Sequence, residues 1–164
     1  MISLGIDPGT ASLGYGFVRE RPDSSLEAVH FGVIRTRAST AMPERLFNIN
    51  QELGRLITAF EPDRAGVEEL FFSRNVTTAM TVAQARGVVL LTLQSASIPV
   101  AEYKPNLVKQ AVTGYGGADK SQMGEMVRLL LNLDTAPKPD DAADALAVAI
   151  TDIHSYRLNT VHPL

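Results

Sequence analysis

The chain of 164 residues contains no cysteine. This absence excludes disulfides, thiolate zinc sites, iron–sulfur clusters and a cysteine nucleophile. Histidine is also scarce, and His30, His154 and His162 do not have the spacing of metal ligands. Sulfur and imidazole chemistry therefore offers no indication of a site.

Long apolar runs are absent as well. No stretch approaches the roughly 20 residues that span a membrane. The segment from Met1 to Ile6 lacks the basic region and the long apolar stretch of a signal peptide. We therefore expect a cytoplasmic protein.

Length and composition indicate one ordinary globular domain. Apolar residues make up 45% and charged residues 20% of the chain, close to the average for soluble domains. We expect a single domain over residues 1–157 and a frayed tail over 158–164. The formal net charge of −3 argues only weakly against a nucleic-acid partner, because an acidic catalytic cluster would offset a basic face elsewhere.

Apolar periodicity and turn residues predict ten elements. Five are strands, and the first three are close enough to form an antiparallel meander. The predicted strands are 2–7, 13–19, 26–35, 64–69 and 99–103. The predicted helices are 43–60, 75–97, 105–113, 119–131 and 140 to about 156. This order predicts an α/β fold with a five-stranded mixed sheet and helices on its faces.

Two of the predicted helices have distinctive sequences. Asp119-Lys-Ser-Gln122 looks like a capping box that opens the fourth helix. Val88-Val-Leu-Leu91 makes the second helix apolar almost all round, so this helix is either central or at a subunit interface.

Four carboxylates stand out from the other acids. Asp7 closes an apolar strand, and Glu68 lies in a strand beside Val67. Asp141 and Asp144 share one face of the last helix, which continues into an apolar run. Burying these charges is costly unless a cation neutralises them. Two Mg²⁺ ions held by such acids can activate a water and stabilise the leaving oxygen in phosphodiester cleavage.

Simpler interpretations of the same acids remain open at this point. Asp7 precedes Pro8-Gly9 and could serve a turn, and Glu68 could form a salt bridge. Asp140 and Asp141 could cap the last helix. Spacing alone does not bring three distant segments together.

A family resemblance joins these segments. The ordered matches cover residues 1 to about 155, and together they resemble the bacterial RuvC family of Holliday-junction resolvases. The matching motifs are Leu4-Gly-Ile-Asp-Pro-Gly-Thr10, Gly14-Tyr-Gly16, Val67-Glu-Glu-Leu-Phe71, Gln84-Ala-Arg-Gly87, Lys120-Ser-Gln122 and Asp141-Ala-Ala-Asp-Ala-Leu-Ala147.

The resemblance implies a ribonuclease H-like fold and an endonuclease that resolves four-way DNA junctions by paired, symmetric nicks in recombination and repair. Asp7, Glu68, Asp141 and Asp144 fall on the family's catalytic, metal-binding acids. Glu69 is set aside because strand alternation turns it to the other face. The resemblance further implies Mg²⁺ or Mn²⁺, two ions per site, a homodimer, and a branch-migration helicase complex of the RuvA and RuvB type as partner.

Candidate DNA contacts lie around the acids. Arg74, Lys104, Lys109 and Lys120 are in or beside loops and could contact phosphate. The resemblance implies this role for Lys109 and Lys120. It also places Phe71 near the junction's bases, where stacking on an unpaired base would contribute about 1–3 kcal/mol. Packing of Phe71 in the core is the alternative.

Two other functional classes compete with the nuclease. A phosphotransferase or ATPase of the actin and sugar-kinase type shares a similar Gly-Ile-Asp-x-Gly-Thr opening, but it needs two domains that close on a nucleotide. A junction-binding protein without catalysis would have no use for acids near phosphate. Nucleotide binding and the effect of metal on products distinguish these classes.

Overall fold

The computed structural model describes residues 1–70 and 76–161. Within these ranges the chain forms five strands and five helices in the predicted order. The strands are β1 (Ile2–Asp7), β2 (Ser12–Glu20), β3 (Leu26–Arg35), β4 (Arg64–Glu68) and β5 (Val100–Tyr103). The helices are α1 (Met42–Phe60), α2 (Val76–Ser95), α3 (Pro105–Thr113), α4 (Lys120–Leu130) and α5 (Asp140–Val161).

The five strands form one mixed sheet in the order β3-β2-β1-β4-β5. The β1–β2 and β2–β3 pairs are antiparallel, whereas β1–β4 and β4–β5 are parallel. Because β1 and β4 are parallel neighbours with Ile6 opposite Val67, Asp7 and Glu68 end adjacent strands at the same edge of the sheet. The predicted mixed sheet is confirmed.

The sheet separates two hydrophobic layers, as the alternation of each strand requires. Leu4 and Ile6 of β1 pack with α1 and α2 on one face. The other face is covered by α5, flanked by α3 and α4. The predicted placement of helices on both faces is therefore confirmed.

Glycines allow α5 to lie unusually close to the sheet. A Cβ atom built on Gly5 would stand 1.9 Å from the carbonyl oxygen of Ala145. One built on Gly14 would stand 1.9 Å from the carbonyl oxygen of Asp141. Only residues without a side chain permit this approach, which brings the start of α5 against the β1–β2 pair.

Local signals and tertiary contacts together set the helix ends. The capping box at the start of α4 is confirmed, with the Asp119 side chain accepting from the Gln122 backbone and the Gln122 side chain accepting from the Asp119 backbone. The predicted end of α5 near Tyr156 is wrong, because the helix continues through Val161 and includes part of the predicted tail. Arg157 donates hydrogen bonds to Glu20 and to the Ser24 carbonyl, so this part of α5 is held against the β2–β3 hairpin.

Of the two interpretations of α2, the central one is confirmed for one face of the helix, and the interfacial one stays a prediction. Ala85, Val89 and Leu93 are fully buried in the core, whereas Met80 and Leu91 are about two-thirds exposed. Within the described ranges, no helix combines the length and apolarity needed to cross a membrane.

Candidate metal centre

Three of the predicted acids converge at one edge of the sheet. Asp7 ends β1, and Asp141 and Asp144 lie in the first two turns of α5. One carboxylate oxygen from each lies within 4.8 Å of the other two, and all three residues are partly buried. Oxygen ligands at this spacing can hold a hard divalent cation.

Glu68 completes the acidic cluster from the neighbouring strand. Its carboxyl group shares a hydrogen bond with that of Asp7 and is repelled by Asp144. Glu68 also lines cavities with Asp7 on one side and with Asp144 on the other. The four acids, which come from three distant segments of the sequence, therefore lie close together.

The electrostatics of the acidic cluster are unfavourable without a cation. Burial first, and then repulsion by Glu68, Asp144 and Asp141, raises the pKa of Asp7 from 3.8 to about 8. Burial and repulsion by Asp144 likewise raise the pKa of Glu68 from 4.5 to about 7. Burial raises the pKa of Asp144 as well. At neutral pH these groups must share protons or bind a cation.

Two lysines border the cluster. The Nζ atom of Lys120 lies 3.7 Å from Asp144 Oδ2 and 3.8 Å from Asp140 Oδ2. Lys109 lines the same cavity as Glu68, Lys120 and Asp144. Both lysines favour the charged form of Glu68 and so offset part of the rise in its pKa. The structure thus places two positively charged side chains at the rim of the acidic cluster.

Of the other predicted DNA contacts, Lys104 lies within the described residues. Lys104 is exposed at the N-terminus of α3, directly after β5. Phe71 and Arg74 lie outside the described residues. Asp140 begins α5 and pairs with Lys120, in keeping with its interpretation as a helix-start residue.

A second buried acid was missed at the sequence level. Asp152 is fully buried in α5 and is bonded to Ser3, Arg64 and Tyr103. The signal was an acid inside an apolar helical run, the same signal that pointed to Asp144. One buried carboxylate lies in a candidate metal centre and the other is an ion-pair partner, and only the tertiary contacts distinguish them.

The mixed sheet in the order β3-β2-β1-β4-β5, covered on both faces, is a ribonuclease H-like fold. Its acids gather at the ends of adjacent central strands and the start of the helix that crosses them. Fold and acids together define a nuclease-type centre that can bind metal.

Comparison with known proteins identifies the family. Residues 3–152 match the family model described as "Crossover junction endodeoxyribonuclease RuvC". The chain belongs to this family. A curated member from Chloroflexus aggregans is 58% identical over 161 residues, which cover 98% of this chain and 96% of the relative.

Solved structures agree with this assignment. The chain superposes on Thermus thermophilus RuvC in complex with a Holliday junction substrate with a TM-score of 0.89 and 35% identity, and the match covers 98% of each chain. A yeast mitochondrial Holliday junction resolvase matches with a TM-score of 0.68 at 14% identity, covering 91% of this chain and 76% of the other. The second likeness concerns the fold alone.

Proposed function

We propose that this chain is a structure-selective endonuclease that resolves four-way DNA junctions by paired, symmetric nicks. The observation that carries the proposal is the convergence of Asp7, Asp141 and Asp144, with Glu68 beside them. Family membership and the superposition on a relative bound to a Holliday junction support the choice of substrate. The process it serves is homologous recombination and DNA repair, carried out by a single nuclease domain over residues 1–157.

The proposed cofactor is Mg²⁺, with Mn²⁺ as a substitute and two ions per site. The all-oxygen donor set of the four acids fits these hard cations. When bound, the ions supply an activated water and stabilise the leaving oxygen of the cleaved phosphodiester. The acids themselves hold the ions and, once neutralised, allow an anionic strand to approach.

The proposed DNA contacts surround this centre. Lys109 and Lys120 border the cavity that Glu68 and Asp144 line, which supports a role for their ammonium groups in binding the phosphates that flank the cut. Lys104 would extend the same basic margin. Arg74 and Phe71 are proposed from the family resemblance, as a phosphate contact and a stacking residue.

We propose two partners, a second copy of this chain and a helicase complex. A homodimer would place two centres on opposed strands, and the exposed apolar face of α2, with Met80 and Leu91, is the proposed contact surface. Gly87 on this face is exposed, and a Cβ atom added there would meet nothing within 4 Å in the monomer. A branch-migration helicase complex of the RuvA and RuvB type is the proposed upstream partner, inferred from the family.

The deciding experiment compares a four-way junction with a linear duplex of matching sequence, with and without Mg²⁺. The assay compares the parent with three active-site variants, Asp7→Asn, Glu68→Gln and Asp144→Asn. The control is Glu44→Gln, at an exposed position of α1. We expect metal-dependent paired nicks near the branch from the parent and the control. Each active-site variant should bind the junction and fail to cut it.

Two results would contradict the proposal. Junction binding by the parent without metal-dependent cutting would leave a binding module. If the parent neither bound nor cut the junction, nucleotide binding would be the alternative function, and calorimetry would measure it.

A further inference from the structure

The buried acid Asp152 joins α5 to three strands. Its Oδ2 accepts from Ser3 Oγ of β1 at 2.7 Å and from Arg64 Nε of β4 at 2.6 Å. Its Oδ1 accepts from Arg64 Nη2 at 2.8 Å and from the Tyr103 hydroxyl of β5 at 2.8 Å. The guanidinium of Arg64 also stacks on the Tyr156 ring of α5 at 4.3 Å. We call Ser3, Arg64, Tyr103 and Asp152 the Asp152 clamp.

Ser3 and Arg64 of the clamp lie at the opposite ends of their strands from the acidic cluster. Tyr103, by contrast, lies opposite Glu68 in the β4–β5 ladder and reaches Asp152 with its hydroxyl group. β1 contributes Ser3 to the clamp and Asp7 to the cluster, and β4 contributes Arg64 and Glu68 in the same way. Each of these pairs is separated by four residues, or about 13 Å along a strand.

The spacing along α5 matches this distance. Asp152 follows Asp144 by eight residues and Asp141 by eleven, which is about 12 Å and about 16 Å along a helix. Eleven residues are close to three full turns, so Asp141 and Asp152 share one face. Holding Asp152 against Ser3 and Arg64 therefore brings the acids of α5 opposite Asp7 and Glu68.

Two glycines beneath α5 let the helix approach the sheet closely, and at these two points the sheet has no side chain that would oppose sliding of the helix. Gly5 and Gly14 present no side chains to the helix backbone. The hydrogen bonds and the ion pair of the clamp are directional, and they oppose sliding of α5 along the sheet. A shift of one residue would move the acids by about 1.5 Å, whereas metal–ligand distances tolerate only about 0.2 Å.

We infer that Asp152 is a positioning residue, which fixes α5 along the sheet and so sets the geometry of the metal-binding acids. The inference rests on the proposed function, because the geometry concerned is that of the same centre. It predicts that breaking the clamp weakens metal binding at a site more than 10 Å away without changing any metal ligand.

The test is a titration of Mn²⁺ into the full-length protein, with free Mn²⁺ measured by electron paramagnetic resonance. Asp152→Asn keeps the shape of the side chain and removes its charge. We expect its Kd for Mn²⁺ to rise about threefold to tenfold. This rise is at or below the lower end of the losses in metal affinity that follow when residues supporting metal ligands are replaced. The single-turnover cleavage rate should fall while junction affinity stays unchanged.

Two further variants separate positioning from loss of stability. Leu53→Ala opens the core on the opposite face of the sheet, where Leu53 is fully buried in α1. It should leave Mn²⁺ affinity unchanged at temperatures where circular dichroism shows a folded protein. Tyr103→Phe removes one hydrogen bond and keeps the ion pair, so it should give a smaller change in the same direction and remains informative if Asp152→Asn does not fold.

The possible outcomes differ clearly. A loss of Mn²⁺ affinity in the clamp variants but not in Leu53→Ala supports the inference. Equal losses in all variants, or no loss in the clamp variants, overturns it while leaving the nuclease proposal intact. A parent that neither binds Mn²⁺ nor cuts the junction overturns the proposed function, and the inference falls with it.

Discussion

Asp7 is a carboxylic acid held where its charged form is destabilised. Burial and three neighbouring acids raise its pKa to about 8, so the side chain favours binding either a proton or a cation. A residue of this kind lowers stability in the metal-free protein and serves function when metal is present. Lys120 offsets part of this repulsion through its contact with Asp144.

This balance predicts a stability difference that depends on pH. The folded-state pKa of Asp7 lies above its unfolded value of 3.8, so its contribution to stability is full below about pH 4 and is lost as the pH rises towards 8. In the absence of metal, Asp7→Asn should therefore raise the free energy of unfolding at pH 8 by about 1–3 kcal/mol. At pH 4 the gain should disappear.

Urea denaturation at both pH values checks this prediction. Glu44→Gln, on the exposed first turn of α1, should give no gain at either pH. Added Mg²⁺ should stabilise the parent and not Asp7→Asn. A variant that is no more stable than the parent at pH 8 would show that the acidic cluster is not under electrostatic strain.

At the level of elements, the approach of α5 to the sheet depends on missing side chains. Gly14 lies opposite Asp7 in the β1–β2 ladder and directly beneath the Asp141 carbonyl. The same contact therefore affects both the packing of α5 and the separation of two acids of the cluster, Asp7 and Asp141. Periodicity identified both elements, but it does not report how closely they pack.

Adding a single methyl group should disturb both properties. Gly14→Ala should lower the free energy of unfolding by about 1–3 kcal/mol or more, because the new Cβ meets backbone atoms that cannot move aside. It should also abolish metal-dependent cleavage. Urea denaturation and the junction assay measure these effects.

Gly54→Ala is the matched control for this change. Gly54 lies inside α1, and a Cβ added there meets nothing within 4 Å. The control should be neutral or up to about 1 kcal/mol more stable, because alanine favours the helix. Equal behaviour of the two variants would argue against close packing as the constraint.

At the level of the whole molecule, the two faces of α2 lie in different environments. Ala85 and Val89 bury one face against the sheet, while Met80 and Leu91 remain exposed on the other. Exposed apolar side chains on a helix that also packs in the core are typical of a subunit interface. A two-fold axis through this exposed face would relate two active sites, which could then nick two strands as a pair.

Introducing charge on this face should separate the subunits. We expect Leu91→Glu to shift the protein from dimer to monomer in analytical ultracentrifugation and to replace paired nicks with single, uncoupled ones. Leu129→Glu, at a residue about half exposed on α4, should have no effect on the oligomeric state. A parent that sediments as a monomer, or a Leu91→Glu protein that remains a dimer, would place the interface elsewhere.

The sequence alone determined the order of the elements and the identity of the acids. Apolar periodicity located all ten elements, with β1, β3 and α3 correct to the residue and the ends of the others shifted by at most five residues. The family motifs assigned Asp7, Glu68, Asp141 and Asp144 to one centre. These features are local or carried by short motifs, so they can be recognised without knowing which segments meet.

The tertiary structure decided what depends on contacts between distant segments. Three features join residues that are far apart in the chain. They are the grouping of Asp7, Asp141 and Asp144 within 4.8 Å, the closeness of α5 to Gly14, and the bonding of Asp152 to three strands. Helical and strand periods describe neighbours within a few residues. The distance between an acid on β1 and one on α5 is set by packing, which no local pattern encodes.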